Sequence, residues 1–320
     1  MESALIVKDL AHVGTVASGI HLAIGIFDGL HRGHQLVLQS AIEAAESTQG
    51  IAAVLSFDPH PSELFRPSDP TRLMMPIEYK LERLKACGLQ LIICQHFDRQ
   101  FASVCAEDFL PYLKGYLPSL ASIHVGENFR YGRHRLGTLA SMQSDGPVNG
   151  IQVSGVARAL DADEVISSTR IRKQLELGAI EQANRLLGSP YQVCGTVVGG
   201  QKIGRQLGFP TLNIHWAPAC QPKFGVYVVR FREAGTTTWQ AGVANYGIKP
   251  TLQRQEADPC LEVHALHSCR LTEGTLLQVE WLHFVRAERR FDTLEALKGQ
   301  IAEDTQVAAE FFASEQRLSS

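Results

Sequence analysis

The sequence predicts two domains: a doubly wound α/β domain built on a parallel sheet, then an antiparallel β domain closed by one helix. Three observations carry this. Through the first half, buried-type apolar runs alternate with stretches of helical spacing. Near residue 190 the pattern becomes several short strands in series, separated by turn residues, as in an antiparallel barrel or sandwich. At roughly 100–200 residues per domain, 320 residues favour two domains. The boundary falls near Gly188-Ser-Pro190, giving domains over 1–188 and 189–320.

Residues 22–27, Leu-Ala-Ile-Gly-Ile-Phe, read as a buried strand. Residues 35–47 are rich in Ala and Leu at helical spacing. A second strand covers 51–57. Pro76 opens a helix that runs through Cys87 and stops at Gly88. A third strand covers 89–94, a helix containing Pro111 covers 106–117, and a fourth strand covers 122–125. Two short helices, 169–177 and 180–187, are broken by Gly178 and closed by Gly188. Strands then follow at 191–198, 226–232, 239–245, 261–266 and 276–285, and a helix from Thr293 to about Phe312 ends the chain.

Composition narrows the function classes. Hydrophobic residues make up 45% and charged residues 20%, as in an ordinary globular chain. Acidic residues number 33 against 30 basic, a formal charge of −3. With no basic tail or like-charge block, nucleic acid is not an expected partner. Small anions bind through local sites and stay open. Seven cysteines, an odd number without a C-x-x-C, argue against a disulfide framework and a zinc knuckle. The N-terminus lacks a signal-peptide pattern, and no apolar run reaches the ~18 residues of a membrane span. A soluble cytoplasmic protein with no membrane partner is expected.

The sharpest motif is Gly25-Ile-Phe-Asp-Gly-Leu-His-Arg-Gly-His34, where a buried strand hands over to a helix. His31 and His34, three apart, can share one face of that helix. Gly29 and Gly33 let backbone approach a ligand closely. Helix N-terminal N–H groups favour phosphate, and imidazoles beside them can donate to developing negative charge. Read alone, two histidines at this spacing are more readily surface residues in a loop. A second motif, Ile166-Ser-Ser-Thr-Arg-Ile-Arg172, begins a helix with capping hydroxyls and two arginines. It is an anion site or merely a capped helix.

Together the two motifs resemble the signature pair of the HxGH nucleotidyltransferases. Phe57-Asp-Pro-His-Pro61 and Gly126-Glu-Asn-Phe-Arg-Tyr-Gly132 follow the second and fourth strands. With them, the likeness narrows to the FAD synthetase module of bacterial bifunctional riboflavin kinase/FAD synthetases, from about residue 20 onward. The resemblance implies attack of the FMN phosphate on the α-phosphate of ATP. It assigns catalysis to His31 and His34, ATP to Gly25, Phe27, Gly33, Ser167, Thr169 and Arg172, and the flavin to Asp58, His60 and Asn128. His60, between two prolines, has a second reading as a residue that fixes the loop. Phe129 and Tyr131 either stack on the flavin or pack the sheet edge.

In the second domain, Gly199-Gly-Gln-Lys-Ile-Gly-Arg-Gln-Leu-Gly208 is neither a Walker A loop nor Gly-x-Gly-x-x-Gly. Thr211 and Asn213 can face the same way in an extended segment and offer two hard oxygens suited to Mg²⁺. Glu262 alternates with Leu261 and Val263, and is either a solvated carboxylate or, in a cleft, a general base. With Gly225-Val-Tyr227, Gly242-Val-Ala-Asn245 and Phe291-Asp-Thr-Leu-Glu-Ala-Leu-Lys298, these segments resemble the riboflavin kinase barrel. The resemblance implies phosphorylation of riboflavin by MgATP. Thr211 and Asn213 would hold the metal, Gly204 and Arg205 the ATP, and Glu262 would act as base. Departures from the family pattern stand at Lys249, at His267 and at Leu271–Gly274. They leave open a monofunctional FAD synthetase whose barrel binds flavin without kinase activity. A flavin carrier and a different phosphorylated acceptor are the remaining alternatives.

Overall fold

The computed structural model describes residues 4–200, 208–216, 219–248 and 259–318. The chain divides into two compact units, Met1–Ser168 and Thr169–Ser320.

The first unit is built on six strands: β1 (Leu5–Val7), β2 (Ile20–Ile24), β3 (Ile51–Asp58), β4 (Leu91–His96), β5 (Leu120–Gly126) and β6 (Gln152–Val156). Their order across the sheet is β1-β4-β3-β2-β5-β6, and every neighbouring pair is parallel. Helices α1 (Arg32–Thr48), α2 (Ile77–Ala86) and α3 (Ala106–Tyr116) follow β2, β3 and β4. All of β2 is buried, which explains its nearly unbroken apolar sequence. On one face Ala23, Val54 and Ile92 pack against Val37, Leu38, Ala41 and Leu84 of α1 and α2. On the other, Leu22, Ile24, Leu55 and Ile93 meet Phe109, Leu110 and Leu113 of α3. The sheet is doubly wound, as the alternation predicts.

The connections run outward from β2 to β3 to β4, and β5 then returns to the other side of β2. Such a reversal opens a crevice at the carboxyl ends of the two strands. Two expected boundaries move there. The strand expected over 22–27 ends at Ile24, because Phe27 and Leu30 have φ of 56° and 46°, which no strand can pass through. Helix α1 starts before residue 35, at Arg32, because His31 serves as its N-cap. The edge strands β1 and β6 were not expected.

A polar chain, buried at His21, Ser122 and His124, runs beneath α1. Thr48 Oγ1 meets His21 Nε2 at 2.7 Å, and His21 Nδ1 meets Ser122 Oγ at 2.7 Å. Ser122 Oγ meets His124 Nε2 at 2.7 Å, and His124 Nδ1 meets Ser40 Oγ at 2.8 Å. Burial lowers the pKa of both histidines, that of His124 to about 4, with His21 beside it adding to the effect.

In the second unit, α4 (Ser168–Leu177) and α5 (Ile180–Leu187) precede a closed antiparallel barrel. Gly178 and Gly188, both at φ 76°, separate and end these helices, as expected. Asn184 of α5 donates through Nδ2 to Trp281 O and accepts from Tyr191 N, each at 2.7 Å. These bonds tie α5 to the barrel. Its strands are β7 (Tyr191–Val198), β8 (Thr211–His215), β9 (Gly225–Glu233), β10 (Gln240–Ile248), β11 (Pro259–Ala265) and β12 (Leu276–Ala287). They run in the order β7-β8-β11-β10-β9-β12, and β12 pairs back onto β7. Strand β8 is an addition to the expected set.

The interior is filled by Tyr227, Phe231, Tyr246 and Trp281, all fully buried, with Tyr227 and Trp281 ring centroids 4.4 Å apart. The terminal helix α6 (Leu294–Leu318) covers Val226, Val228 and Val243 with Ala308, Phe311 and Phe312. Arg286 of β12 grips Asp304 of α6 through two nitrogens, Nε to Oδ1 at 2.9 Å and Nη2 to Oδ2 at 2.7 Å. Among the described residues no helix is long and apolar enough to cross a membrane.

Candidate functional site

The loop from β2 to α1 lies at the switch point. Phe27, Gly29 and Leu30 all take positive φ. For bulky side chains this costs about 1–3 kcal/mol each, and it persists only where the surroundings enforce it. Here Phe27 and Leu30 are each 1% exposed, held in the core by Val37 and Leu38. The result delivers His31 to the start of α1. Its Nδ1 accepts from the His34 backbone N–H at 3.2 Å. The two imidazoles stack, centroids 3.6 Å apart and planes 16° apart. The Phe27 ring meets His34 edge-on at 5.3 Å.

Two of the motif's three glycines, Gly25 and Gly33, have a steric reason. A Cβ on Gly33 would sit 3.2 Å from His31 Cε1, and one on Gly25 would sit 3.0 Å from Phe27 Cζ. Asp28 is 3% exposed, and its carboxylate accepts from Met74 N at 3.0 Å. Ser168 Oγ donates to Asp28 O at 3.0 Å. Thr169 and Arg172 stand three apart near the start of α4, sharing one face.

Asp58 ends β3. His60 caps the short helix Pro61–Phe65: its Nδ1 accepts from Ser62 N at 3.0 Å, and its own N–H donates to Glu63 at 3.2 Å. The loop-fixing reading of His60 therefore has a geometric basis. Asn128 follows β5, across the switch point from the His31 loop, and lines a cavity of about 430 Å³ with Glu127, Phe129, Arg130, Gln143 and Arg158. Arg158 Nε pairs with Glu127 at 3.0 Å. Tyr131 packs the sheet: it is 5% exposed and lies 5.0 Å from Phe109. Phe129 stacks on Tyr131 and lines the cavity.

In the barrel, the register sets Asn213 of β8 opposite Glu262 of β11, and Glu262 opposite Asn245 of β10. Opposed residues share a face. These three polar groups thus form a row on the outer side, while Leu261 and Val263 fill the interior. Thr211 lies two residues before Asn213, on the same face. Asn213 is 8% exposed because the glycine-rich segment begins against it: a Cβ on Gly200 would overlap its amide. Thr211 pairs with His264, whose Nδ1 meets Pro210 O at 2.9 Å. Gly204, Arg205 and Lys249 lie outside the described residues.

One functional-end residue that the motifs do not contain is Lys80 of α2. It is 7% exposed, and its Nζ donates to Ile26 O, Ser56 Oγ and Phe57 O beneath the ends of β2 and β3. Its only signal in the sequence is a lysine inside an amphipathic helix, indistinguishable from a solvated one.

Comparison with known proteins covers both units. The FAD synthetase family model matches residues 15–170, and the riboflavin kinase model matches 187–312. The bifunctional riboflavin kinase/FMN adenylyltransferase of Escherichia coli K12 is 36% identical over 296 residues, 92% of this chain and 93% of that protein. The Haemophilus influenzae protein of the same name is 34% identical, covering 97% and 99%. The Bacillus subtilis protein of that name is 34% identical, covering 92% of each. A Streptococcus pneumoniae crystal structure, described as a macrolide-efflux protein, superposes with a TM-score of 0.86 at 26% identity, covering 96% and 99%. Family models over both units, and relatives more than 30% identical over nearly the whole length, lead to one conclusion: the chain belongs to the bifunctional riboflavin kinase/FMN adenylyltransferase family.

Proposed function

We infer that the chain makes both flavin cofactors, with ATP as co-substrate of each step: the barrel phosphorylates riboflavin to FMN, and the α/β unit adenylylates FMN to FAD. The observation that carries the second activity is the His31–His34 pair, stacked at a helix N-terminus on the switch point of a parallel sheet. An FMN phosphate oxygen attacks the α-phosphorus of ATP, and the bond to the β-phosphate oxygen breaks to release pyrophosphate. No protein nucleophile is required, so orientation and charge stabilisation carry the rate. His31 and His34 stabilise the developing charge beside the α1 N-terminus. Gly25, Phe27 and Gly33 shape that loop, and Ser167, Thr169 and Arg172 serve the ATP phosphates. Asp58, His60 and Asn128 serve the flavin, whose ring would lie against Phe129 in a cavity otherwise lined mainly by polar side chains.

In the kinase, Glu262 takes the proton of the riboflavin 5′-hydroxyl as that oxygen attacks the γ-phosphorus of ATP and ADP leaves. The Thr211 hydroxyl and the Asn213 amide oxygen, two residues apart on one face of β8, form a hard-oxygen pair that fits Mg²⁺ and leaves the role of base to Glu262. Thr211 and Asn213 would hold the ion, which would supply neutralisation of the phosphate charge. Gly204 and Arg205 complete the ATP side. We place the catalytic division after Gly188, where Pro190 leads into the first barrel strand. A cytoplasmic setting, with riboflavin, FMN, FAD and ATP as small-molecule partners, agrees with seven cysteines that all stand as thiols.

The test is reciprocal. His31→Ala lowers FAD formation from FMN by at least about 100-fold while riboflavin phosphorylation continues. Glu262→Gln lowers FMN formation by about 100-fold or more and spares FAD formation from added FMN. Loss of both activities in either folded variant contradicts two separate sites.

A further inference from the structure

We propose that Lys80 is a positioning residue of the adenylyl-transfer site: its buried ammonium ties together the ends of β2 and β3 and so fixes the spacing of the two loops that leave them. The proposal rests on the FAD synthetase reading of the first unit.

The geometry is specific. Lys80 Nζ donates to Ser56 Oγ at 3.0 Å, Phe57 O at 3.1 Å and Ile26 O at 3.3 Å. Ser56 Oγ in turn donates to Ile26 O at 3.1 Å, which closes a ring of bonds between the two strands. Ile26 directly precedes Phe27, where the strained turn toward His31 begins. Phe57 directly precedes Asp58 and the loop capped by His60. The same segment is tied to the first loop a second time, through Met74 N and the Asp28 carboxylate. Lys80 thus couples the loop assigned to ATP to the loop assigned to FMN.

The charge state matters because of the count of donors. An ammonium carries three N–H groups, and all three find acceptors here. A neutral amine carries two, so deprotonation drops one link of the ring. The titratable groups around Nζ are Cys94 of β4, Asp28 beyond β2 and Asp58 at the end of β3. Burial lowers the pKa of Lys80 below 10.5, and Cys94, Asp28 and Asp58 oppose that shift. The coupling therefore weakens on the alkaline side, at a pH below that of an exposed lysine.

Nζ spends its donors on protein atoms, which makes Lys80 a residue that acts through Ile26 and Phe57. Lys80→Met keeps the stem and removes the charge. Lys80→Arg keeps a charge that does not titrate in the accessible range. The experiment measures kcat and KM for FAD formation from FMN and ATP between pH 7 and 10 in the full-length wild type and both variants. FMN formation from riboflavin serves as the internal reference for a folded barrel. Lys80→Met is expected to lower kcat for FAD formation about tenfold, with a smaller change in KM for ATP. The wild-type alkaline decline in kcat should disappear in Lys80→Arg. A folded Lys80→Met with kcat within about twofold of wild type overturns the proposal, as does an alkaline limb identical in all three proteins. If Lys80→Met does not fold, the wild type and Lys80→Arg profiles decide alone. A wild type that makes no FAD from FMN overturns the functional reading, and this proposal with it.

Discussion

At the scale of single residues, the two sites share one device: a glycine whose missing Cβ makes room for a functional side chain. Gly33 lies under the His31 ring, and Gly200 lies against the Asn213 amide. Methyl groups at these positions should therefore separate the activities. Gly33→Ala pushes the His31 ring by a few tenths of an ångström and should lower FAD formation about tenfold. Gly200→Ala displaces Asn213 and should lower riboflavin phosphorylation by about tenfold or more. Steady-state rates with FMN or riboflavin as the flavin substrate check both. Wild-type rates in both variants would mean that neither contact sets the geometry. These motif residues were legible through the family resemblance, and spacing placed them: His31 and His34 lie one helical turn apart, and Glu262 alternates with two core residues. Lys80 was not legible, because its partners are two backbone carbonyls and a serine from strands at least twenty residues earlier. Nothing in a helical lysine announces a buried end.

At the scale of elements, the central strands and helices were readable because burial on both faces leaves continuous apolar runs. Strands β1 and β6 were not. β1 is three residues long, and β6 is the edge strand Gln-Val-Ser-Gly-Val, whose polar residues and glycine carry no core signature. The start of α1 was missed because its cap is a histidine instead of a usual Ser, Thr, Asp or Asn. That helix is also held by the chain from Thr48 through His21, Ser122 and His124 to Ser40, and the chain sets a pH dependence. The folded pKa of His124, about 4, lies below the ordinary 6.5, so the folded state binds fewer protons than the unfolded state between these values. This contribution is fully present above about pH 6.5 and is lost as pH falls toward 4. It amounts to on the order of 3 kcal/mol for His124 alone. Thermal melts between pH 7 and 4.5 should show a falling midpoint for the first unit, and His124→Asn should flatten the dependence. An unchanged slope in that variant would assign the acid sensitivity elsewhere. In the second unit, Arg286 and Asp304 join α6 to the barrel with Asp304 buried. Arg286→Met should lower stability by about 3 kcal/mol in chemical denaturation, because it leaves a buried carboxylate without its partner.

At the scale of the whole molecule, the chain carries two folds whose polar residues gather at different kinds of place. In the α/β unit they sit at the carboxyl ends of parallel strands, where the order of strands reverses. In the barrel they form the row Asn213, Glu262 and Asn245 across three outward faces, covered at one end by the start of the glycine-rich segment. The change of pattern near residue 190 made this division readable, since parallel and antiparallel sheets impose different periodicities. Closure of the second sheet into a barrel follows from β12 pairing with both β7 and β9, a non-local pairing that periodicity does not encode. The departures at His267 and at Leu271–Gly274 leave the row of Asn213 and Glu262 intact, so the barrel is expected to be an active kinase. The most direct measurement is incubation of the purified protein with riboflavin, ATP and Mg²⁺, followed by chromatography of the flavins over time. FMN appearing first and FAD after it is the predicted result. Riboflavin left unchanged, with FAD formed only when FMN is supplied, would contradict the claim that one chain performs both steps.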